Sequence, residues 1–471
     1  MKTSNLLILI TSLISFIIIL INGEIILSLM PLFFVFSWLI TRFIKNGNLF
    51  FTKLIFIIFG FIRLVLVPLA IAISGDKKID NLPLGFMYFN QGVLLIIFEY
   101  LVGAILLFVL SRFFNDKMKK RKTFQLVGSR FFYYIFIVVI IITFISIPSV
   151  RETVSFLIIK TDATGRGEEV TAGINVLLRL FLQLALMLLF IISSYHAYKK
   201  YKHNPSFIYL LLPLTFGVIN VGLIVGERRS IQIYTLVGVL VIISLLFKYH
   251  SKKVNIVILS VGAFILISMT LYKELYVFNF SSYSDALNSS NVNNVKFIDQ
   301  LQSYFYGPHN VAASIAYLNY YDGSVRQLIF DYTRSLFGIN MFVDKSHLLT
   351  SQLFNQIIYG NKQLTGHLIS SAGYGFIYFG PLLFPIVLFS NLLMASTLEY
   401  LIRKSNCLDL IFIGTYLFMR VTFTMFGHTI PILTTGTMIL VVFSVVILVS
   451  IFVKKILRLV MIGYDKTVYE K

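Results

Sequence analysis

The chain has 471 residues, of which 58% are hydrophobic and only 13% are charged, so it is not an ordinary soluble domain. Its formal net charge of +20 would suit a nucleic-acid-binding protein, but the basic residues are spread over many loops rather than gathered in one region. The single cysteine, Cys407, excludes an intramolecular disulfide framework.

Apolar segments separated by short loops make up most of the chain. About 20 apolar residues cross the hydrocarbon core as a helix, and helices satisfy their own backbone hydrogen bonds in lipid. Twelve segments fit this description: 5–22, 25–41, 54–74, 93–111, 131–148, 176–195, 207–225, 231–247, 255–272, 376–397, 409–426 and 432–453. The sequence therefore predicts an all-α polytopic membrane protein that forms a single membrane domain over residues 1–471.

The loops between these segments differ in charge. Most of the 40 Lys and Arg residues lie in alternate loops, and the densest run is 117–122. Because an excess of Lys and Arg is typical of cytoplasmic loops, both termini are predicted to be cytoplasmic. The same alternation explains the net charge without a nucleic-acid partner. The richness in Ile, Phe, Asn and Lys indicates an AT-biased genome, which favours a bacterial plasma membrane.

One stretch, residues 273–365, interrupts the regular alternation of spans and short loops. It is polar and aromatic, and the charge pattern places it outside the cytoplasm. A helix is predicted over Asn310–Tyr321, capped by its first residue, because Val311, Ile315 and Leu318 recur at helical spacing. A membrane protein with one large external loop is expected to perform its chemistry there.

The second half of this loop contains another amphipathic pattern. It is predicted to open at Asp331 or Asp344, and such helices could lie in the plane of the membrane interface. The chain then returns to the membrane through Gly373, Gly375 and Gly380. Small residues at these positions favour close backbone packing, or a broken helix beside a cavity.

Four ionisable residues lie inside predicted spans, where each costs roughly 2.5 kcal/mol or more near the helix centre. Arg63 is placed near the midplane, with Glu99 as its candidate partner. At 1.5 Å per residue, Arg179 is about 5 Å deep and Arg420 about 9 Å deep from the outer side. Arg179 could snorkel to the interface, whereas Arg420 requires a cavity or a partner.

Several cationic groups project to the outer half of the membrane: Arg179, Arg228, Arg229 and Arg420, with His428 just beyond the end of a span. Guanidinium groups bind phosphate oxygens in a bidentate geometry, so an anionic lipid headgroup is expected at this level. A polyprenyl diphosphate fits this expectation, and so does a phospholipid.

The sequence offers little support for metal or nucleotide chemistry. The histidines do not have the spacing of metal ligands, and no phosphate-binding loop occurs in a cytoplasmic segment. An enzyme with this sequence is expected to need no metal or other cofactor, and to draw its energy from the substrate.

Three short segments resemble a known family: Gly226-Glu227-Arg228-Arg229-Ser230, Tyr306-Gly307-Pro308-His309-Asn310-Val311 and Ser371-Ala372-Gly373-Tyr374-Gly375-Phe376-Ile377-Tyr378-Phe379-Gly380-Pro381. Their order, the twelve-span plan and the long loop before span ten resemble the Wzy-type O-antigen or capsular polysaccharide polymerases. The overall plan covers nearly the whole chain, whereas each motif is short.

This resemblance implies a GT-C-like, metal-independent glycosyltransferase that depends on a polyprenyl diphosphate. Such an enzyme would join undecaprenyl-diphosphate-linked oligosaccharide repeat units at the outer face of the plasma membrane. A chain-length regulator protein is a further partner that the family implies. The diphosphate leaving group would supply the driving force, and positioned guanidinium groups would stabilise its developing charge.

The resemblance also suggests which residues perform the reaction. Arg228 and Arg229 are the leading catalytic candidates, and His309 and Glu227 are candidates for the base that accepts the proton of the acceptor hydroxyl. The candidate substrate-binding residues are Arg179, Arg326, Arg334, His367, Arg420 and His428, and the two further histidines are also possible bases.

Structural interpretations of these residues stay open. Arg228 and Arg229 could pair with Glu227 and lipid headgroups, and His309 could simply begin a helix. Five tyrosines of the long loop could stack on sugar rings or belong to an interfacial aromatic belt, namely Tyr304, Tyr306, Tyr317, Tyr320 and Tyr321.

Three other functions are compatible with many of these features. A lipid-linked oligosaccharide flippase or other transporter would share the spans and the intramembrane arginines, but would not need the long loop. An O-antigen ligase would share the loop, the arginines and the chemistry. A non-catalytic scaffold would leave Arg420 without an explanation.

Overall fold

The computed structural model describes residues 2–44, 49–78, 82, 84–114, 123–148, 151, 154–156, 174–225, 229–271, 297–344, 346–359 and 369–469. These residues are predominantly helical. A short antiparallel pair joins β1 (Val154–Phe156) to β2 (Leu223–Val225), with Val154 opposite Val225. The prediction of a helical membrane protein is confirmed at this level.

Helices α1 to α9 precede the long loop, α10 to α13 belong to it, and α14 to α17 follow it. Their bounds are α1 Lys2–Ile21, α2 Ile25–Arg42, α3 Phe50–Ser74, α4 Phe89–Phe113, α5 Arg130–Ser146, α6 Ile174–Tyr201, α7 Ile208–Gly222, α8 Arg229–Leu246, α9 Ser251–Leu271, α10 Phe297–Tyr304, α11 Pro308–Tyr317, α12 Val325–Ser335, α13 Thr350–Tyr359, α14 Ser371–Leu383, α15 Ile386–Lys404, α16 Leu408–Phe423 and α17 Thr429–Tyr469. Each predicted apolar segment falls mainly on one of these helices, except 376–397, which is divided between α14 and α15.

Six helices within the described residues are long and apolar enough to cross a membrane. They are Ile25–Arg42, Phe50–Ser74, Phe86–Phe113, Leu177–Tyr201, Ile386–Lys404 and Thr429–Leu457. Four shorter apolar helices accompany them: Leu6–Ile21, Arg130–Ser146, Ile208–Gly222 and Ile231–Leu246. The chain is therefore a membrane-embedded helical protein. The number of twelve spans and the orientation of the termini stay predictions.

The chain divides into two compact units, each built from segments that are distant in sequence. The first unit contains Met1–Lys117, Lys296–Tyr400 and Arg420–Met438. The second contains Met118–Val295, Leu401–Met419 and Ile439–Lys471. The prediction of one membrane domain is not tested by this division.

Aromatic packing forms the centre of the first unit. The ring of Phe56 in α3 stacks on Tyr100 in α4 at 4.5 Å between centroids, and Phe34 in α2 stacks on the same tyrosine at 6.0 Å. The buried carboxylate of Glu399 accepts hydrogen bonds from the backbone N–H of Thr52 at 2.8 Å and from its hydroxyl at 2.7 Å. A carboxylate at a helix N-terminus is stabilised by the helix dipole, so α15 holds the start of α3.

The described part of the long loop, 297–344 and 346–359, is folded onto the helices of the first unit. Helix α11 is buried along its whole length and packs against α4 and α14. Gly92 of α4 allows this approach, because a Cβ there would lie 3.1 Å from the backbone nitrogen of Ala312. These residues of the loop thus form an integral layer of this unit.

The helix boundaries predicted within the loop are wrong in their details. Helix α11 starts at Pro308 behind the N-cap Gly307, so Asn310 lies inside the helix and does not cap it. Proline is favoured in the first turn because its missing N–H would be unpaired there. The helix also ends at Tyr317 rather than at Tyr321.

The second amphipathic stretch consists of two helices rather than one. Asp331 does not open it but lies inside α12, which Ser324 caps by accepting a 3.2 Å hydrogen bond from the N–H of Gln327. Asp344 precedes α13, which starts six residues later at Thr350.

The second unit has its own buried carboxylate. Asp409, at the start of α16, accepts hydrogen bonds from the N–H of Val127 at 2.9 Å and from the hydroxyl of Tyr133 at 3.0 Å. The hydroxyl of Ser450 in α17 accepts a 2.7 Å hydrogen bond from the N–H of Ser129. These contacts attach the segment before α5 to α16 and α17.

Candidate functional site

A buried ion pair lies at the centre of the first unit. The Nη1 of Arg63 is 2.6 Å from Oε2 of Glu99, and both side chains are fully buried. Arg63 lies in the π-helical turn Ile62–Leu66 of α3, and its guanidinium also lies 4.9 Å from the ring centroid of Phe426. A buried charge is tolerated only with a partner and further hydrogen bonds. The pairing that their depths suggested is confirmed.

The same ion pair holds two of the segments that carry the family resemblance. The Nε of Arg63 donates a 2.9 Å hydrogen bond to the carbonyl of Tyr306, and Ser371 donates its hydroxyl proton to Oε1 of Glu99 at 2.5 Å. Tyr306 has a φ of +53°, a left-handed conformation that residues other than glycine rarely adopt. Such a conformation persists where surrounding contacts fix it, and the bond to Arg63 is one of them.

His309 is the second residue of α11 and is 1% exposed. Its backbone N–H faces Oε1 of Gln302 at 3.4 Å, and its ring forms a hydrogen bond with the backbone of Leu84. Burial and, to a smaller extent, the positive charge of Lys78 together lower the pKa of His309 to about 4, so the ring is neutral at pH 7. This environment favours the helix-start interpretation of His309, and its role as a base stays a prediction.

His428 occupies the connection between α16 and α17 and is 2% exposed. Both its backbone N–H and its ring Nδ1 are within hydrogen-bond distance of the carbonyl of Ile369, at 3.0 and 2.9 Å. The ring stacks on Tyr374 at 5.3 Å between centroids. Burial lowers the pKa of His428 to about 4. His428 therefore attaches this connection to the start of α14.

Asn391 of α15 fixes the same connection from its other side. Its Nδ2 donates hydrogen bonds of 2.9 Å to the carbonyls of Met425 and Gly427, and its Oδ1 accepts a 3.0 Å bond from the hydroxyl of Thr429. Irregular backbone inside a membrane protein needs such internal partners. The connection is thus held in a defined conformation.

The glycines of the Ser371–Pro381 motif serve close packing and a helix break. A Cβ on Gly375 would lie 2.8 Å from the carbonyl carbon of Phe384, and one on Gly373 would lie 2.5 Å from Cβ of Ser314. Gly380 interrupts α14 with a φ of +70°. The structure confirms the close packing and the break in the helix, and the cavity expected beside the break stays a prediction.

Asp331 is a buried, hydrogen-bonded carboxylate whose role in the loop the sequence did not predict. It is 1% exposed, and its carboxylate accepts hydrogen bonds from the hydroxyl of Tyr374 at 2.7 Å, from Nε2 of Gln327 at 3.0 Å and from the N–H of Thr350 at 3.1 Å. Burial raises the pKa of Asp331 above its ordinary value, and the hydrogen bonds from Thr350 and Tyr374 oppose that rise. One carboxylate thus joins α12, α13 and α14.

A signal for the position of Asp331 was present in the sequence. Leu328 and Tyr332 precede and follow it at helical spacing, and both pack against the buried cluster around Tyr374. Asp331 lies three residues after Leu328, so it falls at the edge of the same face of the helix. Its hydrogen-bond donors from α13 and α14 could not be found in the same way.

The arginines predicted in the first unit have different environments. Arg420 is half-buried, and its Nη2 donates a 2.7 Å hydrogen bond to the carbonyl of Pro431 in the first turn of α17. Arg334 is half-buried and donates to the carbonyl of His347, whereas Arg326 is exposed. The partner that Arg420 required therefore includes a backbone carbonyl, and none of the three arginine residues is completely buried.

The structure describes the other predicted site residues only in part. Arg179 is 8% exposed in α6 of the second unit, and Arg229 begins α8. The side chain of Arg229 and the whole of Glu227, Arg228 and His367 lie outside the described residues. The convergence of these groups on one anionic headgroup stays a prediction.

Within the described residues, no group of three His, Cys, Asp or Glu side chains is arranged to hold a metal ion. Metal-independent chemistry stays an expectation from the sequence.

The chain matches no family model, no curated protein and no solved structure. The fold itself defines the class as a helical membrane protein with a folded loop layer.

Proposed function

We propose that this protein polymerises undecaprenyl-diphosphate-linked oligosaccharide repeat units into O-antigen or capsule at the outer face of a bacterial plasma membrane. It would be a GT-C-like, metal-independent glycosyltransferase with both termini in the cytoplasm. The order of three motifs and the twelve apolar segments support this proposal. Its partners would be the lipid-linked oligosaccharide, the bilayer and a chain-length regulator.

The observation that carries the proposal is the attachment of the long loop to the Arg63–Glu99 ion pair. A loop that only connects two spans has no need of a buried ion pair, whose desolvation is costly. Here the loop uses that pair through Tyr306, and it uses a second buried carboxylate, Asp331, to hold its helices together. Such fixed geometry is what a loop that positions a substrate requires.

The proposed reaction is a glycosyl transfer with a diphosphate leaving group. A hydroxyl oxygen of the acceptor repeat unit attacks the anomeric carbon of the growing glycan, and the bond from that carbon to the diphosphate oxygen breaks. The electron pair leaves with undecaprenyl diphosphate, and the hydroxyl proton passes to a base. Guanidinium groups stabilise the developing charge, and Arg420 is the half-buried candidate in the first unit.

The environments of the histidines narrow the choice of the base. His309 and His428 are almost completely buried, so neither ring is accessible to the hydroxyl of an acceptor sugar without rearrangement. These properties favour Glu227 or His367 as the residue that accepts the proton.

The tyrosines of the loop divide into two groups by exposure. Tyr306 and Tyr317 are buried, so they cannot stack on a sugar without rearrangement. Tyr304 and Tyr320 are 48% and 61% exposed. Stacking on the glycan is therefore proposed for these two.

Deletion of the gene tests the proposal directly. Surface glycan that carries a single repeat unit is the expected result, since unpolymerised units would still be transferred to the acceptor. Loss of all surface glycan would instead indicate a flippase. Lipid-linked polymer that accumulates without attachment would indicate a ligase, and unchanged glycan would exclude all three.

A further inference from the structure

Helix α12 and the turn that follows it expose a row of large apolar side chains on the external loop. This apolar ridge consists of Val325 (70% exposed), Ile329 (58%), Ile339 (48%), Met341 (77%) and Phe342 (92%). A soluble surface rarely exposes a contiguous apolar patch of this kind unless something covers it.

The residues of the apolar ridge are not the residues of α12 that pack inside the loop. Helix α12 already buries its inner face, where Asp331 lies beside the packed Leu328 and Tyr332. Val325 and Ile329 are four residues apart and lie together at the side of this face that is turned away from Asp331. The apolar face of α12 is therefore wider than the strip that packs inside the loop, and Val325 and Ile329 stay exposed at its edge.

A hydrogen bond places the ridge beside a candidate membrane span. The N–H of Phe337, between α12 and Ile339, donates a 3.0 Å hydrogen bond to the hydroxyl of Thr437 in α17. Thr437 lies eight residues after Thr429, which is about 12 Å along the helix at 1.5 Å per residue. The segment after α12 thus lies against α17, about 12 Å from the start of that apolar helix. The N–H of Phe337 has a hydrogen-bond partner, as a backbone group in lipid requires.

Polar groups border the ridge at both ends. Arg326 is exposed near the start of α12, and the half-buried Arg334 lies near its end. After Phe342 the chain becomes polar, and Asp344 accepts hydrogen bonds from the N–H and the hydroxyl of Ser346 at 2.9 and 2.8 Å. Exposed apolar side chains with two guanidinium groups on the same helix match acyl chains below phosphate headgroups.

We propose that the apolar ridge inserts into the lipid leaflet beside the start of α17, with Arg326 and Arg334 at the level of the lipid phosphates. The ridge then anchors the external loop to the bilayer surface. The occupant is lipid, and neither a second copy of the chain nor another protein is required. The inference rests on the geometry of the first unit and does not depend on the proposed function.

Tryptophan fluorescence in vesicles tests the insertion. The chain has one tryptophan, Trp38, so Trp38→Phe gives a background in which Phe342→Trp and, as the comparison, Tyr320→Trp each introduce a single reporter. The full-length variants are reconstituted in phosphatidylcholine and phosphatidylglycerol vesicles, with or without bromine on the upper part of the acyl chains. The Phe342→Trp reporter is expected to lose about half or more of its emission to brominated lipid and to resist aqueous acrylamide. Tyr320→Trp should show less quenching by lipid and more by acrylamide.

Two results would overturn the proposal. A Phe342→Trp reporter that acrylamide quenches as strongly as it quenches Tyr320→Trp, without quenching by brominated lipid, would show that the ridge faces water. A reporter shielded from both quenchers would show that protein covers it. If Trp38→Phe impairs folding, a spin label on Met341→Cys in a Cys407→Ser background measures the same accessibility, with oxygen and a water-soluble nickel complex as the paramagnetic agents.

Discussion

Glu99 accepts a 2.5 Å hydrogen bond from the hydroxyl of Ser371, while its other oxygen pairs with Arg63 at 2.6 Å. One carboxylate therefore connects the start of α14 with the carbonyl of Tyr306, which Arg63 holds from its other side. Two segments more than sixty residues apart depend on one fully buried charge pair. The stability of the first unit should consequently be sensitive to this pair.

Removal of one partner of the pair should be much more damaging than removal of both. Glu99→Leu leaves the guanidinium of Arg63 buried without its carboxylate, and we expect a loss of about 3–5 kcal/mol in the free energy of unfolding. The double variant Glu99→Leu with Arg63→Met should recover much of that loss. Chemical unfolding in detergent measures all three proteins. Equal losses in the single and double variants would contradict this account.

Asp331 should hold the loop helices without affecting the membrane helices. In Asp331→Ala the hydroxyl of Tyr374 and the N–H of Thr350 lose their acceptor, so α12 should open more often. Trypsin should then cleave after Arg326 and Arg334 sooner than in the native protein, while the total helix content stays the same. Asp344→Ala is the matched control, because its carboxylate is exposed on the same loop. Equal cleavage rates in the two variants would show that Asp331 does not fix the loop.

The two buried histidines should make the fold sensitive to acid. Unfolded histidine has a pKa near 6.5, whereas burial lowers the pKa of His309 and of His428 to about 4. Between these values the unfolded chain binds protons that the folded chain excludes, so stability is present above pH 6.5 and is lost as the pH falls towards 4. Each histidine should contribute about 2 kcal/mol to the loss between pH 7 and pH 5.

Unfolding at these two pH values, in the native protein and in His309→Gln, measures that contribution. The variant should lose less stability on acidification than the native protein. Asp331 acts in the opposite direction, because its raised pKa favours the protonated folded state. An identical pH dependence in the variant would show that His309 does not titrate as described.

The transmembrane helices were predictable because lipid leaves an apolar segment few alternatives. Backbone groups in a bilayer must be satisfied within the segment, so the apolar pattern alone places the helices within a few residues. The pairing of Arg63 with Glu99 was predictable for a related reason. An unpaired charge inside the membrane is costly, so two opposite charges at similar depths are expected to pair. Gly380 indicated the break in α14 through its neighbouring proline.

The helix boundaries within the loop were less predictable because they depend on contacts with residues distant in the sequence. Asn310 has the chemistry of a cap, but Gly307 and Pro308 start α11 earlier, and the packing of the helix buries Asn310 instead. Asp331 resembled a helix-start residue, yet its donors come from α13 and α14. Local helix propensity carries no information about these distant partners. The sequence therefore predicted that helices form here, but neither their boundaries nor their polar contacts.

Arg420 should be required for polymerisation rather than for folding. Arg420→Leu removes a half-buried guanidinium and its bond to Pro431, and we expect surface glycan with few repeat units. Arg420→Lys keeps the charge but not the bidentate geometry, so it should recover activity only in part. Arg112→Leu is the control, because this arginine is exposed and is not among the candidate site residues. Long glycan chains in Arg420→Leu, with normal protein levels, would show that Arg420 is not needed for the reaction and that its bond to Pro431 is only structural.

Arg228→Ala and Arg229→Ala test the catalytic assignment that the family resemblance supplies. If the two guanidinium groups stabilise the diphosphate leaving group, each substitution removes a charge-assisted interaction that strengthens as the bond breaks, and the rate should fall by roughly 100-fold or more. Surface glycan should then be reduced to single repeat units, while the amount of membrane-inserted protein stays unchanged. Lys substitutions at the same positions separate charge from geometry, because a lysine restores the charge without the planar fork. Normal chain length in both alanine variants would remove the assignment from these two arginines and leave Arg420 as the leading candidate for contact with the diphosphate.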